Sequence, residues 1–203
     1  MIFSENFEGG TPGYVGTTGV IAGTQFSLVN GTIDVNGPGN GGTVSAYYPW
    51  LCAAPASGAC IDTTGGSNQR GTIGTTAPIV FSAPGEYILT FDLEGWYESG
   101  VPGYADVTDA WATVQVDLGN LIVGNQFTVY GADNPYSPVE IVFQVAAPAS
   151  ATLTFTDLGG NYGFAGAILD NVEIDSAPEP VTALLFGFGA LTLLAKKHAT
   201  RAR

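Results

Sequence analysis

Residues 111–118 read Trp-Ala-Thr-Val-Gln-Val-Asp-Leu, a stretch in which apolar and polar side chains alternate. Every second residue from Val114 to Leu118 is apolar, and every second residue from Thr113 to Asp117 is polar. Side chains that alternate along a β-strand point to opposite faces. The stretch therefore predicts a strand with one face in a core and the other in water.

The same alternation recurs through residues 1–177, with Gly and Pro between the runs, and no window there keeps a helical period. Residues 86–93 are a second clear case, because their apolar side chains also fall on alternate positions. Further predicted strands cover residues 2–7, 25–29, 32–35, 44–48, 71–73, 78–82, 126–130, 141–145, 152–156 and 167–174. Many short strands with polar outer faces predict an all-β, two-sheet β-sandwich.

Charge divides the chain into two parts. Residues 1–177 contain one basic residue, Arg70, and 17 of the 18 acidic residues, which gives a net charge of −16. Four of the five basic residues lie in the last eight positions, at 196, 197, 201 and 203. So acidic a surface repels phosphate backbones, and nucleic acid is excluded as a partner. The length of residues 1–177 suits one domain with its own core.

Residues 178–203 form a separate tail. Pro178, Glu179 and Pro180 precede an uncharged apolar segment, residues 181–195, and the basic end follows. Fifteen helical residues would reach about 22 Å, which is short of the roughly 30 Å hydrocarbon core of a bilayer. We therefore expect a short C-terminal hydrophobic helix that is a marginal membrane span, with the basic end cytoplasmic and the acidic domain outside.

This three-part order resembles the PEP-CTERM sorting signal of Gram-negative bacteria. The resemblance implies that an exosortase recognises and processes the tail during export, often in species that make exopolysaccharide. One departure is that Lys196 and Lys197 precede the arginines of the basic end. The implied protein is exported, held transiently at the membrane by its tail, and then found in the cell envelope or outside the cell.

The first residues do not supply the N-terminal signal that export requires. Met1–Phe7 has neither a basic region nor a long apolar one. We expect either a mis-assigned start or a trimmed chain.

Two cysteines, Cys52 and Cys60, are separated by seven residues and lack the C-x-x-C spacing of redox or zinc sites. In an exported protein this pair favours a disulfide that closes a loop. The alternative is two reduced cysteines.

The order of segments in residues 5–175 resembles PEP-CTERM ectodomains with a jelly-roll, galactose-binding-like fold. The matching segments are Asn6-Phe-Glu8, residues 26–35, 87–93 and 114–119, and Leu169-Asp-Asn-Val-Glu-Ile174. In related carbohydrate-binding modules an early Glu and the closing Asp help to hold a structural Ca²⁺. The resemblance implies that Glu8 and Asp170 are those ligands.

The alternation of residues 168–174 bears on the same site, because it places Asp170 with Ile168 and Val172 on the predicted core side. A buried carboxylate is costly unless it is paired or bound to metal, and Ca²⁺ prefers such oxygen ligands. The alternative is a solvated Asp170 at a strand start, or one that caps a turn.

Aromatic residues lie in or beside two predicted irregular stretches, residues 49–69 and 95–110. Trp50, Trp96 and Tyr97 are candidate glycan contacts, because exposed rings stack on the apolar faces of sugars. The alternative is that these rings cover the edge of the sandwich.

Catalysis has little support in the sequence. The only histidine, His198, is in the tail, so residues 1–177 have no imidazole to activate a nucleophile. A glycosidase could use a carboxylate pair, and four candidates are Glu94, Glu98, Asp106 and Asp109. The sequence predicts a non-enzymatic cell-envelope or extracellular-matrix protein. The alternatives are a carbohydrate-binding protein that contacts exopolysaccharide and, third, a glycosidase.

Overall fold

A computed structural model of the chain describes residues 1–37, 52, 59–65, 69–96, 109–131, 137–163 and 165–177. The regular structure in these ranges is β-strand, and none of it is a helix long and apolar enough to cross a membrane. The strands are β1 (Phe3–Glu5), β2 (Gly13–Val15), β3 (Gly19–Val20), β4 (Phe26–Asn30), β5 (Ile33–Asn36), β6 (Cys60–Asp62), β7 (Thr72–Thr75), β8 (Ile79–Phe81), β9 (Gly85–Gly95), β10 (Trp111–Leu118), β11 (Ile122–Tyr130), β12 (Ser137–Val145), β13 (Ala149–Ala151), β14 (Leu153–Gly160) and β15 (Ala167–Ser176).

The strands form two antiparallel sheets and a short ribbon. The seven-stranded sheet has the order β12-β9-β15-β6-β5-β2, and β1 also pairs with β15. The six-stranded sheet has the order β11-β10-β14-β7-β4-β3, and β13 pairs with β8. The predicted all-β class and two-sheet jelly-roll sandwich are confirmed, whereas the predicted C-terminal helix and the 178–203 boundary lie outside the described residues.

The core lies between the sheets and follows from the alternation of the sequence. On β10, Val114, Val116 and Leu118 are fully buried, as the sequence predicts. A chain of touching aromatic rings crosses the core, with centroid separations of 5.2–6.1 Å; its members are Phe7, Phe26, Phe155, Phe91 and Phe127. Such rings bury large apolar areas and gain further from edge-to-face contact, so they join the sheets.

Most predicted strands are present, with shifted ends. Two strands begin earlier than predicted: β11 at Ile122 and β12 at Ser137. The interpretation of residues 49–69 as wholly irregular is wrong, because β6 lies there and pairs with β5 and β15. A three-residue strand carries no readable alternation and forms only because two neighbours pair with it. The predicted strand 44–48 lies outside the described residues.

A second, smaller apolar cluster covers part of the outer face of the seven-stranded sheet, the face turned away from the six-stranded sheet. It contains a disulfide between Cys52 and Cys60, whose Cα atoms are 5.6 Å apart. Its buried members are Cys52, Cys60, Trp96, Ala110, Ala165 and Ile168. The disulfide is therefore part of an apolar cluster that packs against this sheet.

Replacement of Phe155 by Ala should destabilise the sandwich strongly. Phe155 is fully buried and contacts the rings of Phe26 and Phe91, so truncation leaves a cavity between the sheets. The expected loss is about 3–5 kcal/mol of unfolding free energy, measured by urea denaturation. Val142→Ala on β12 is the control, because Val142 is 51% exposed. Equal losses in the two variants would contradict this assignment of the core.

Candidate functional site

Asp170 lies on the outer face of the seven-stranded sheet, not on the core side that the alternation predicts. Its cross-strand partner is Asp92 on β9, which lies between the core residues Phe91 and Leu93. The register of β15 shifts between Asp170 and Glu173, so the alternation changes phase at this irregularity. The prediction of the core face was therefore wrong, although Asp170 is buried, with 1% of its surface exposed.

Asp170 belongs to a carboxylate cluster, which we define as Glu5, Glu8, Asp92, Glu94 and Asp170. Burial is the main cause that raises the pKa of Asp170 to about 7, and the charges of Asp92, Glu8 and Glu5 add to it. A 2.7 Å hydrogen bond from the backbone N–H of Asn171 acts in the opposite direction. The structure thus places the predicted ligands Glu8 and Asp170 close enough for their charges to interact.

Glu94 is the acid of the carboxylate cluster whose two carboxyl oxygens both lack a hydrogen-bond partner. Burial, and then the charge of Asp170, raise the pKa of Glu94 to about 8. Both carboxyl oxygens of Glu94 and the Oδ2 atom of Asp170 are buried without a hydrogen-bond partner. Glu5 differs, because it accepts hydrogen bonds from the N–H groups of Phe7 (2.7 Å) and Gln25 (2.6 Å). Buried carboxyl oxygens without hydrogen-bond partners destabilise the folded state when they are charged. A bound proton or cation would therefore stabilise this cluster.

Backbone strain lies beside the two predicted calcium ligands. Within the described ranges, Phe7 (φ 56°) and Asn171 (φ 49°) are the non-glycine residues with positive φ. They are next to Glu8 and Asp170, and strain of this kind often marks a binding site. No three His, Cys, Asp or Glu side chains in the described part of the chain converge closely enough to hold a metal ion. A Ca²⁺ ion at Glu8 and Asp170 would therefore need carbonyl or water oxygens for its remaining ligands.

Two other buried acids have structural partners. Asp157 accepts hydrogen bonds from the hydroxyls of Thr63 and Thr64, and Asp62 accepts a 2.9 Å hydrogen bond from the N–H of Thr64. Burial raises the pKa of both carboxyls. These bonds fasten the turn after β6 to β14, which is a sufficient role for both acids.

Of the three candidate glycan contacts predicted from the sequence, the structure describes Trp96 alone, and there the prediction is wrong. Trp96 is 2% exposed and packs in the cluster of the disulfide, so its indole offers no surface to a sugar and that prediction is corrected. Trp50 and Tyr97 lie outside the described residues, as do Glu98 and Asp106. Asp109 accepts a 2.9 Å hydrogen bond from the Tyr162 hydroxyl.

An exposed aromatic pair lies instead on the outer face of the six-stranded sheet. Trp111 on β10 and Tyr130 on β11 are direct cross-strand partners, and their side chains are 38% and 52% exposed. Neither residue is among the glycan contacts predicted from the sequence. The signal was present, because Trp111 has the same parity as Thr113 and so faces water on the predicted strand.

Polar side chains continue this surface along the two strands. We name it the aromatic–amide face, and its residues are Trp111, Thr113, Gln115, Asp117, Gln126, Thr128 and Tyr130. The hydroxyls of Thr113 and Thr128 are 2.8 Å apart, and Gln126 donates to Gln115 at 3.3 Å. Because hydrogen bonds link neighbouring members, the amides and hydroxyls of the face are held in fixed positions.

Asp117 is the one charged member of the face. Its carboxylate accepts hydrogen bonds from Gln115 Nε2 (2.8 Å) and the N–H of Gly124 (2.6 Å). Rings at one end followed by oriented amides and hydroxyls can stack on one sugar and bind the hydroxyls of its neighbours.

No protein-family model matches the sequence, and no curated protein matches it. The structure is similar to TmCBM61 in complex with β-1,4-galactotriose (TM-score 0.45, 11% identity, 85% of this chain and 94% of that chain). It is also similar to the K1 adhesin domain of Lys-gingipain from Porphyromonas gingivalis W83 (0.43, 13%, 87% and 98%). A third similar structure is the module CBM6cm-2 of Cellvibrio mixtus lichenase 5A with cellotriose (0.41, 10%, 87% and 98%). With TM-scores below 0.5, these similarities assign no ligand to this chain.

The raised pKa values of Glu94 and Asp170 predict that stability falls with rising pH when metal is chelated. The folded state keeps protons that the unfolded chain loses near pH 4, so this contribution is complete below pH 4 and is lost as pH rises toward about 8. Melting temperatures in EDTA should decrease between pH 5 and 8.5, and Glu94→Gln should flatten the upper part of this decrease. A wild-type melting temperature that stays constant or rises over this window would contradict the prediction.

Proposed function

We propose that this chain is an exported, non-enzymatic polysaccharide-binding protein that holds sugar on its aromatic–amide face. The observation that supports this function best is the exposed cross-strand pair of Trp111 and Tyr130 beside a ladder of oriented amides. Isolated exposed rings are common, but a Trp–Tyr pair continued by hydrogen-bonded Gln and Thr side chains matches what a sugar chain requires. Stacking gives affinity, and the amides and hydroxyls give orientation.

The buried carboxylates favour binding over hydrolysis. A glycosidase needs two carboxyl groups on either side of a bound sugar, with access for water. Glu94 and Asp170 are each 1% exposed and lie on the opposite sheet from the aromatic–amide face. Their environment suits a cation or a shared proton better than a substrate.

The tail, residues 178–203, supports a cellular location for this function. The resemblance of residues 178–203 to a PEP-CTERM signal supports export, processing by an exosortase, and a final location in the envelope or polysaccharide matrix. A protein that binds exopolysaccharide would be retained there after its tail is removed. In cells that make no exopolysaccharide, deletion of residues 178–203 should shift the protein from the cell-associated fraction to the medium, because neither the tail nor the polysaccharide then retains it. An unchanged distribution in fractionation would contradict the sorting proposal.

Calcium is the proposed structural cofactor, held by Glu8 and Asp170. The orphaned Oδ2 of Asp170 and the strained backbone at Phe7 and Asn171 support this assignment. A bound Ca²⁺ would neutralise charge between the first strand region and β15. EDTA should therefore lower the melting temperature of wild type and have less effect on Asp170→Asn. An EDTA effect of zero on the wild-type protein would sink the calcium assignment.

Substitution of the aromatic pair tests the sugar site. Trp111→Ala and Tyr130→Ala should each weaken binding about tenfold, since each removes a stacking surface worth about 1.4 kcal/mol. A glycan array selects the sugar, and calorimetry with that sugar measures the loss. Tyr14→Ala is the matched control, because Tyr14 is 53% exposed and lies on the other sheet. Equal loss in the control, or an array without binding, would contradict the proposed site.

A further inference from the structure

Arg70 is the only Lys or Arg among residues 1–177, where it stands against 17 acidic residues. A lone base in so acidic a domain would be expected to pair with a carboxylate. Among the described residues, however, the one ion pair is between the Met1 amino group and Asp175. The charge of Arg70 opposes the rise in the pKa of buried Asp157, but that carboxylate accepts its hydrogen bonds from Thr63, Thr64 and Gly159. Arg70 is exposed, and its side chain lies at the six-stranded sheet.

The guanidinium of Arg70 rests on the backbone of β14. Its Nη1 atom donates a 2.6 Å hydrogen bond to the carbonyl of Leu158. Gly159, with φ +97°, makes room for it, because a Cβ at this position would lie 1.9 Å from Arg70 Cζ. The missing side chain lets the cation lie against the sheet, and one carbonyl bond leaves other N–H donors of the guanidinium for a ligand.

This location is next to the aromatic–amide face. Gly159 pairs with Thr113, whose side chain belongs to that face. Trp111 is two residues further along β10, so one strand spacing and two residues separate Trp111 from Gly159. Standard strand dimensions make this about 8 Å between Cα atoms. A sugar stacked on Trp111 would therefore place its neighbour near the guanidinium.

We propose that Arg70 makes this face selective for glycans that carry a carboxylate, that is, polysaccharides containing a uronic acid. This inference rests on the proposed function and adds the class of sugar to it. A guanidinium presents parallel N–H groups that match the two oxygens of a carboxylate, and it keeps its charge at every physiological pH. The selected carboxylate lies on the sugar next to the one that stacks on Trp111.

The charge of the whole domain limits how acidic the glycan is. A net charge of −16 on residues 1–177 repels a polymer with a carboxylate on every sugar. At short range, the one guanidinium next to the aromatic pair can offset the repulsion between the domain and one carboxylate of the glycan. The fitting ligand is therefore a mostly neutral chain with uronic acids at intervals.

The test is an array on which each glycan with glucuronic or galacturonic acid is printed beside its neutral glucose or galactose counterpart. The full chain should bind the acidic member about tenfold more tightly than its counterpart, the usual scale of a charge-assisted hydrogen bond. Arg70→Gln should lose this preference and keep its affinity for the neutral member, whereas Trp111→Ala should weaken the binding of both members about tenfold.

Salt dependence of the wild-type protein gives a second measurement that needs no folded variant. The preference for the acidic member should shrink as NaCl rises, because salt screens an exposed ion pair. Equal binding of both members, or a preference that survives Arg70→Gln, would overturn the role of Arg70 and leave the sugar site standing. Binding of neither member would instead contradict the proposed function.

Discussion

The structure depends on the packing of two antiparallel sheets through one face of each strand. On β10, that constraint buries Val114 and Val116 and at the same time turns Trp111 and Gln115 outward. The core and the proposed sugar surface are thus two sides of the same alternation. A one-residue slip of β10 would bury the polar ladder and expose the core, so the register that stabilises the fold also builds the site.

The two outer faces differ in chemistry. The outer face of the seven-stranded sheet carries the buried acids Glu94 and Asp170 and, beside them, the disulfide-linked apolar cluster. Burial is the main cause of the high pKa values of Glu94 and Asp170, and three of their four carboxyl oxygens have no hydrogen-bond partner. On the outer face of the six-stranded sheet, Trp111 and Tyr130 are partly exposed, and hydrogen-bonded amides lie beside them. The proposed calcium site and the proposed sugar surface therefore lie on separate sheets.

Alternation along the strands was enough to predict the fold class and most strands, because it records which face is buried. It failed at β6, which is three residues long and depends on its neighbours. It also failed at Asp170, where a register shift in β15 changes the phase of the pattern. Sequence proximity directed attention to Trp96, but the disulfide cluster buries that ring. Two features depend on cross-strand register, which cannot be read from a single sequence. They are the pairing of Trp111 with Tyr130 and the contact of the Arg70 side chain with Gly159.

The measurement that tests the sugar-binding account most directly is an NMR titration of the folded domain with the glycan selected on the array. Backbone and side-chain amide shifts should move along β10 and β11, above all the indole N–H of Trp111 and the side-chain amides of Gln115 and Gln126. The indole of buried Trp96 should stay in place. Shifts confined to the seven-stranded sheet or to residues away from these two strands would contradict the account.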